Sequence, residues 1–174
     1  MADTERAQFE IHIRGTLEEV WRQITKTDEP QECFFNMYMD TPGGELGVGK
    51  PIRMRTKSRK YTGAIGDVLE FDPPYRFAHT FKFTHLEDQE CTVIYDLRES
   101  DGGVDFKLTL EDLPVGTKTA KQMKKGGTMI LSTLKAMVER GRPSLTTRSL
   151  FVLFRAMEIT SPESTRSEHW PLEH

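Results

Sequence analysis

The chain is 174 residues long, 36% hydrophobic and 29% charged, with 24 basic against 27 acidic residues and a formal net charge of -3. That length fits one domain with a short appendage, and a domain of this size buries roughly 70% of its unfolded surface, so it needs neither disulfide nor metal to fold. The charge balance argues against a domain built to neutralise nucleic-acid phosphates, no run approaches the ~18 apolar residues of a membrane span, and the charged start MADTERAQFE lacks the apolar core of a signal peptide.

In chain order, Phe9, Ile11 and Ile13 alternate with Glu10, His12 and Arg14, and this period of two predicts a half-buried strand over roughly residues 8 to 14. Gly15 ends it. Thr16 and Glu19 form a capping box for a short helix carrying Leu17, Val20, Trp21 and Ile24 at helical spacing and ending near Thr25. Asp28 to Phe35 is expected to make a second short helix, with Asp28 as cap and Pro30 in its first turn.

From Asn36 to Leu113 the period is two. Ile52 and Met54 alternate with Arg53 and Arg55. Tyr61 to Phe71 is a β-like run broken by Gly63 and Gly66, which signals a bulge or a close backbone approach. After the Asp72-Pro73-Pro74 turn, Phe77, His79, Phe81 and Phe83 share one face. Val93, Tyr95 and Leu97 share another. Asp101-Gly102-Gly103 is a hairpin turn leading to Val104, Phe106, Leu108 and Leu110. Short strands in series joined by tight turns make an antiparallel meander.

Past Pro114 the period returns to 3.6. Thr119 and Gln122 are expected to cap a long helix whose face is marked by Met123, Gly127, Ile130, Leu134, Met137 and Val138, and which Gly141 and Pro143 stop. Gly126-Gly127 is open to two readings. Either the pair sits inside the helix and leaves a cavity against the sheet, or the helix begins near Gly127 and residues 118–125 form a loop or lid. A further helix is expected over Leu145 to Glu158 with Leu150, Phe154 and Met157 buried. It could pack on its own domain, pair with a second copy or lie on a membrane. Ser161 to His174 is expected to be disordered, and Leu172-Glu173-His174 is given no function.

The expected fold class is therefore α+β: a curved antiparallel sheet of about seven strands wrapped round one long helix, with two short helices after the first strand and an extra C-terminal helix. Residues 1–143 hold the domain, 144–160 the extra helix and 161–174 the tail. A sheet with one helix to cover it closes incompletely, and the gap is a natural pocket.

This order resembles the helix-grip superfamily of START lipid-transfer domains, birch-pollen-allergen proteins and polyketide cyclases, also called SRPBCC. Within it, the chain is most similar to the bacterial branch named after the activator of heat-shock protein 90 ATPase. Three stretches carry the likeness: GDVLEFDPPYRF from Gly66 to Phe77, GTMILSTLKAMVERGRP from Gly127 to Pro143, and Thr16 to Trp21 with its Val20-Trp21 pair. Thr128 stands where the branch usually has a tryptophan, and the segment after Pro143 is longer than usual. The resemblance implies a helix-grip fold with a ligand pocket between sheet and long helix.

The residues expected to surround that pocket are Phe77, His79, Phe81, Tyr95, Met123, Gly127, Ile130 and Leu131. His79 reads as a hydrogen-bonded pocket or core residue, with acid–base work as the rival reading. Tyr95 either lines the pocket or packs. Gly44 to Lys50 spells GxxxxGK, but Pro51 replaces the hydroxyl residue of a phosphate loop and a strand-like run follows, so it reads as a glycine-rich turn. None of the five histidines has metal spacing, and neither a metal nor a cofactor is expected. Arg53, Arg55, Lys57, Arg59 and Lys60 read as a solvated basic face. Cys33 and Cys91, far apart in sequence and outside any CxxC, read as reduced core thiols of a cytoplasmic protein.

The expected function is non-catalytic binding of a small hydrophobic or amphipathic ligand, since Met- and Phe-rich linings are adaptable. Two alternatives are carried. One is a polyketide cyclase or dehydratase using His79 and Tyr95. The other is a co-chaperone or other protein-interaction module. Partners expected are the ligand and a second copy through the C-terminal helix. Nucleic acid is excluded and membrane contact disfavoured.

Overall fold

The computed structural model describes residues 3–172, so expectations that touch Met1, Ala2, Glu173 and His174 lie outside the described residues. Strand β1 (Thr4–Ile13) and helix α1 (Leu17–Thr25) open the chain. Six strands follow: β2 (Tyr38–Asp40), β3 (Pro51–Arg55), β4 (Thr62–Asp72), β5 (Arg76–Phe83), β6 (Cys91–Ser100) and β7 (Gly103–Pro114). They form one seven-stranded antiparallel sheet in the order β1-β7-β6-β5-β4-β3-β2. Helix α2 (Lys118–Arg140) packs on it, and helix α3 (Leu145–Met157) follows. This is the helix-grip architecture.

The alternating strands place one residue type per face, and the register lines those faces up. Phe77 on β5 pairs with Tyr95 on β6, Tyr95 with Leu108 on β7, and Leu108 with Phe9 on β1. That row is the floor under α2. Phe77, Tyr95 and Leu108 are buried, as are Leu131 and Leu134 on the helix. The phosphate-loop look-alike is indeed a turn: Gly44 ends a short 3₁₀ turn and β3 starts at Pro51. Gly66 answers the close-approach reading, because a Cβ there would collide with the Thr80 carbonyl of the neighbouring strand.

The α1 capping box forms as expected: the Glu19 amide donates to the Thr16 hydroxyl at 3.2 Å, and the Thr16 amide donates to the Glu19 carboxylate at 2.8 Å. The cap of α2 sits two residues earlier than the sequence suggested. Thr117, not Thr119, accepts from the Ala120 amide at 3.2 Å, and Asp88 accepts from the Thr119 amide at 3.0 Å. Thr119 is thereby inside the helix and buried. Such a cap is worth about 1 kcal/mol.

Further expectations are corrected. The second short helix is a single 3₁₀ turn, Glu32–Phe34. Gln31 bridges back to Met37, and Phe35 and Asn36 both take left-handed φ of 57° and 59°, which no right-handed helix can pass through. The loop-or-lid reading of residues 118–125 gives way to helix, since α2 runs unbroken from Lys118. The glycine that was to keep a cavity open instead admits a ring: a Cβ on Gly127 would lie 2.5 Å from the Phe9 ring. Finally, α3 buries none of its residues; Phe154 is 41% and Met157 53% exposed, and Leu150 is only half-buried.

The reason lies in how α3 is held. Gly141 in the left-handed region releases the chain from α2. At the far end the Glu158 carboxylate accepts from the Thr56 hydroxyl at 2.7 Å and from the Ser58 hydroxyl. The helix is fixed at its ends and between them meets the rest of the protein through few side chains, Phe154 against Phe35 among them. The segment expected to be disordered is ordered through Leu172 by distant contacts. The Ser167 amide donates to the Lys60 carbonyl at 2.9 Å, Arg53 donates to the Pro171 carbonyl at 3.2 Å and Arg55 to the Trp170 carbonyl at 3.0 Å. Two of the basic strand residues are thus partly covered, and Arg55 also pairs with Asp40 at 3.2 Å. No helix among the described residues is long and apolar enough to cross a membrane.

Candidate functional site

Two aromatic regions compete for the site. The inner one is where strand alternation brings Phe77, His79 and Tyr95 together on the covered face of the sheet. Ring centroids lie 5.1 Å apart for Phe77–His79, 5.6 Å for Phe77–Tyr95 and 5.8 Å for His79–Tyr95, and Phe106 stacks on Tyr95 at 5.9 Å. These are ordinary packed-aromatic distances. His79 and Tyr95 are each 2% exposed.

The proton positions in this cluster follow from its acceptors. His79 Nδ1 lies 2.7 Å from the Thr80 carbonyl oxygen, which can only accept, so Nδ1 carries the proton. Nε2 is then an acceptor facing the Tyr95 hydroxyl at 3.4 Å. Burial drives the His79 pKa down to about 4, against a smaller raising effect of the Thr80 bond, and burial likewise raises that of Tyr95 well above its usual value. Both groups are neutral at pH 7. Cys33 and Cys91 are free and buried, and burial pushes both thiols up to about 12.

The other residues predicted for the pocket are spread around this cluster. Leu131 and Gly127 are buried on α2, Gly127 against Phe9. Phe81, Met123 and Ile130 are half-buried at the margin of the core. The structure therefore assembles Phe77, His79 and Tyr95 tightly and leaves the remaining five as core and rim.

The outer region is a cleft of about 640 Å³ between α3 and the open end of the grip. Its apolar walls come from Phe35, Met37, Phe83, Phe151, Phe154 and Met157, with Lys57, His85, Gln122, Arg155 and Glu158 among its polar groups. None of the eight residues chosen from the sequence lines it. Phe35 on the 3₁₀ segment meets Phe154 on α3 edge-on at 6.2 Å, while its neighbour Phe34 meets Tyr95 at 5.7 Å. One pair of adjacent phenylalanines thus touches both regions. A bulky residue at positive φ, as Phe35 is, is a strained backbone position, and such positions cluster at functional sites. Partial burial, and secondarily Lys118, lower the His85 pKa. The sequence signal for the cleft was the Phe34-Phe35 pair together with Phe151 and Phe154. It could not be used without knowing that residues more than a hundred apart would face each other.

A third concavity of about 750 Å³ lies on the outer face of the sheet, lined by His12, Arg76, Asp96, Arg98, Asp105 and neighbours. Its charges are already matched across strands. Arg76 bonds Glu70 and Asp96 at 2.7 Å each, and Asp105 takes His12 at 2.8 Å and Arg98 at 3.1 Å. Such paired ladders stabilise a sheet face, and the remaining charges, Glu10 and Lys107, are of opposite sign and face each other across β1 and β7. Glu163, Glu168 and His169 bring donor atoms within 4.8 Å of one another, but all are exposed, and Glu163 already pairs with Arg166 at 2.8 Å.

The profile described as "Activator of Hsp90 ATPase homolog 1-like protein" matches residues 14–139. The chain belongs to this family. The matched span runs from the end of β1 through almost all of α2, so α3 and the tail lie outside it. Solved structures share the fold. A crystal structure of a protein from Mesorhizobium loti has a TM-score of 0.65 at 18% identity, covering 78% of this chain and 98% of that one. The solution structure of the Aha1 dimer from Colwellia psychrerythraea has a TM-score of 0.63 at 16% identity, covering 79% and 98%. CalU16 from Micromonospora echinospora has a TM-score of 0.57 at 18% identity, covering 91% and 99%. A comparison with curated proteins finds no match. For this member of the activator-of-Hsp90-ATPase-like family, the cleft is built in part by residues outside the family span, and the inner cluster wholly by residues within it.

Proposed function

We propose that the protein is a non-catalytic binding domain for a small hydrophobic or amphipathic ligand, held in the cleft under α3. The observation that carries this reading is the cleft itself: about 640 Å³, walled by six phenylalanine and methionine side chains from three separate parts of the chain. That volume falls within the ~300–1,000 Å³ of small-molecule sites, and mostly apolar walls with a few polar groups are their usual chemistry. Phe77, His79 and Tyr95, with the other residues singled out from the sequence, are assigned to the wall behind it, with Phe34 between.

Catalysis is disfavoured by the chemistry of the one acid–base pair. A general base works best with a pKa near the operating pH, and His79 at about 4, buried and hydrogen-bonded on both nitrogens, is far from it. A cyclase-like reaction through His79 and Tyr95 would need both exposed to substrate. The buried, unpaired cysteines suit a reducing cytoplasm.

A second reading concerns self-association. Leu145, Val152 and Leu153 on α3 are 78%, 71% and 52% exposed, and a similar fold is solved as a dimer. Exposed apolar helix faces of this kind mark interfaces.

The ligand reading is tested by native mass spectrometry of protein purified from its own host, followed by titration with a hydrophobic fluorescent dye. A co-purifying small molecule, and dye binding that Phe154→Asp abolishes without changing the circular dichroism, is the expected result. Dye binding untouched by Phe154→Asp would refute the assignment to this cleft.

A further inference from the structure

The charged groups of the cleft point to the class of ligand. Resting on the binding reading above, we propose that the cleft selects an amphipathic anion, an apolar chain or ring system that carries one carboxylate-like head. Lys57 and Arg155 border it, and the only acid in the lining is Glu158. Among the described residues, neither Lys57 nor Arg155 has a carboxylate partner. Glu158 is committed elsewhere, accepting from the Thr56 and Ser58 hydroxyls. Those bonds bring the chain at Lys57 and at Arg155 to the same end of the cleft. Lys57 stands between Thr56 and Ser58 in the chain, and Arg155 lies three residues before Glu158, on the same side of the helix.

The other polar groups do not cancel this bias. His85 sits below its ordinary pKa and is neutral at pH 7, so the lining holds two cations and one carboxylate. The carbonyls at the end of α3 would repel an anion. Two of them are occupied: the Thr160 hydroxyl donates to the Met157 carbonyl at 2.7 Å, and the Ser161 amide to the Glu158 carbonyl at 3.1 Å. The phenylalanine walls take the apolar part, and the Lys57–Arg155 end takes the head. Both cations are exposed, so they attract an anion through solvent-screened charge and give up little hydration in doing so.

The test is calorimetric titration of the full chain with decanoate and with decanol, which share a chain and differ in charge. Decanoate is expected to bind at least ~10-fold tighter, the equivalent of about 1.4 kcal/mol. The double variant Lys57→Ala, Arg155→Ala is expected to bring decanoate down to the decanol level and leave decanol unchanged. Added salt should weaken decanoate alone. Equal affinities for the two probes, or a double variant that still prefers decanoate, would overturn the anion proposal while leaving the apolar cleft standing. If neither probe binds, both readings fall. If light scattering shows a dimer that excludes both probes, the cleft is a self-association face and the proposal fails.

Discussion

Two aromatic regions built from the same kinds of side chain end up in opposite states. In the inner one, Phe77 and Phe106 are 0% exposed and Tyr95 2%, because three strands and a long helix each supply a matched face. In the outer one, Phe154 is 41% and Met157 53% exposed, because α3 is tied at its ends and meets only a short segment and a hairpin in between. Register decides the first case: a row that runs Phe77, Tyr95, Leu108, Phe9 across four strands leaves no room, and Gly127 yields its own side-chain volume to Phe9. The second case lacks any such register. Stability therefore resides in the inner region and accessibility in the outer one.

The sharpest way to break that comparison is to truncate one ring in each. Phe77→Ala should cost about 3–5 kcal/mol, the usual loss for a fully buried phenylalanine. Phe154→Ala should cost less than about 1 kcal/mol, since a ring already in water gives up little burial. Urea unfolding monitored by circular dichroism reads both. Similar losses at the two positions would mean that α3 is packed far more tightly than its exposure shows.

Acid gives the next largest effect, and the inner region should feel it most. His79 has a folded pKa of about 4 against an ordinary 6.5, so between those values the unfolded chain binds a proton that the native chain does not. The stability that the neutral, buried imidazole confers is fully present above pH 6.5 and is lost as the pH falls toward 4. Between pH 7.5 and pH 5 the wild type should lose about 2 kcal/mol more than His79→Gln. Parallel pH profiles for the two proteins would show that His79 is not sealed in.

Much of the inner region was legible in the sequence, and the reason is periodicity. Alternation in residues 77–83, 93–97 and 104–110 fixes which side chains face α2, and Thr16 and Glu19 carry their capping box locally. What was illegible depends on distant partners. The helix expected over Asp28–Phe35 yields to a bridge between Gln31 and Met37 and to two left-handed residues. The order of the tail comes from Arg53 and Arg55 reaching carbonyls more than a hundred residues away. The apolar stripe of α3 was visible, but nothing in a stripe says whether its partner surface lies close enough to bury it. The cleft was missed for that reason.

The adjacent glycines of α2 offer a finer test, with opposite signs expected one residue apart. Gly126→Ala should stabilise by up to about 1 kcal/mol, because a Cβ there meets Phe35 at an ordinary 3.5 Å and alanine favours the helix. Gly127→Ala gains the same propensity but drives a Cβ to 2.5 Å from Phe9, and overpacking of this kind costs about 1–3 kcal/mol, so the net change should be a loss. Thermal melts of the two variants check the signs. Two stabilised proteins would mean that the inner region has slack.

The most direct test of the central claim, that ligand sits in the outer cleft while the inner region stays shut, is a methyl NMR titration with decanoate. Met37 and Met157 line the cleft, whereas Met39 is 1% exposed in the core. The Met37 and Met157 methyl signals are expected to shift together on titration while Met39 does not move. A shift of Met39 with Met37 and Met157 unmoved would place the ligand inside the core and contradict that claim.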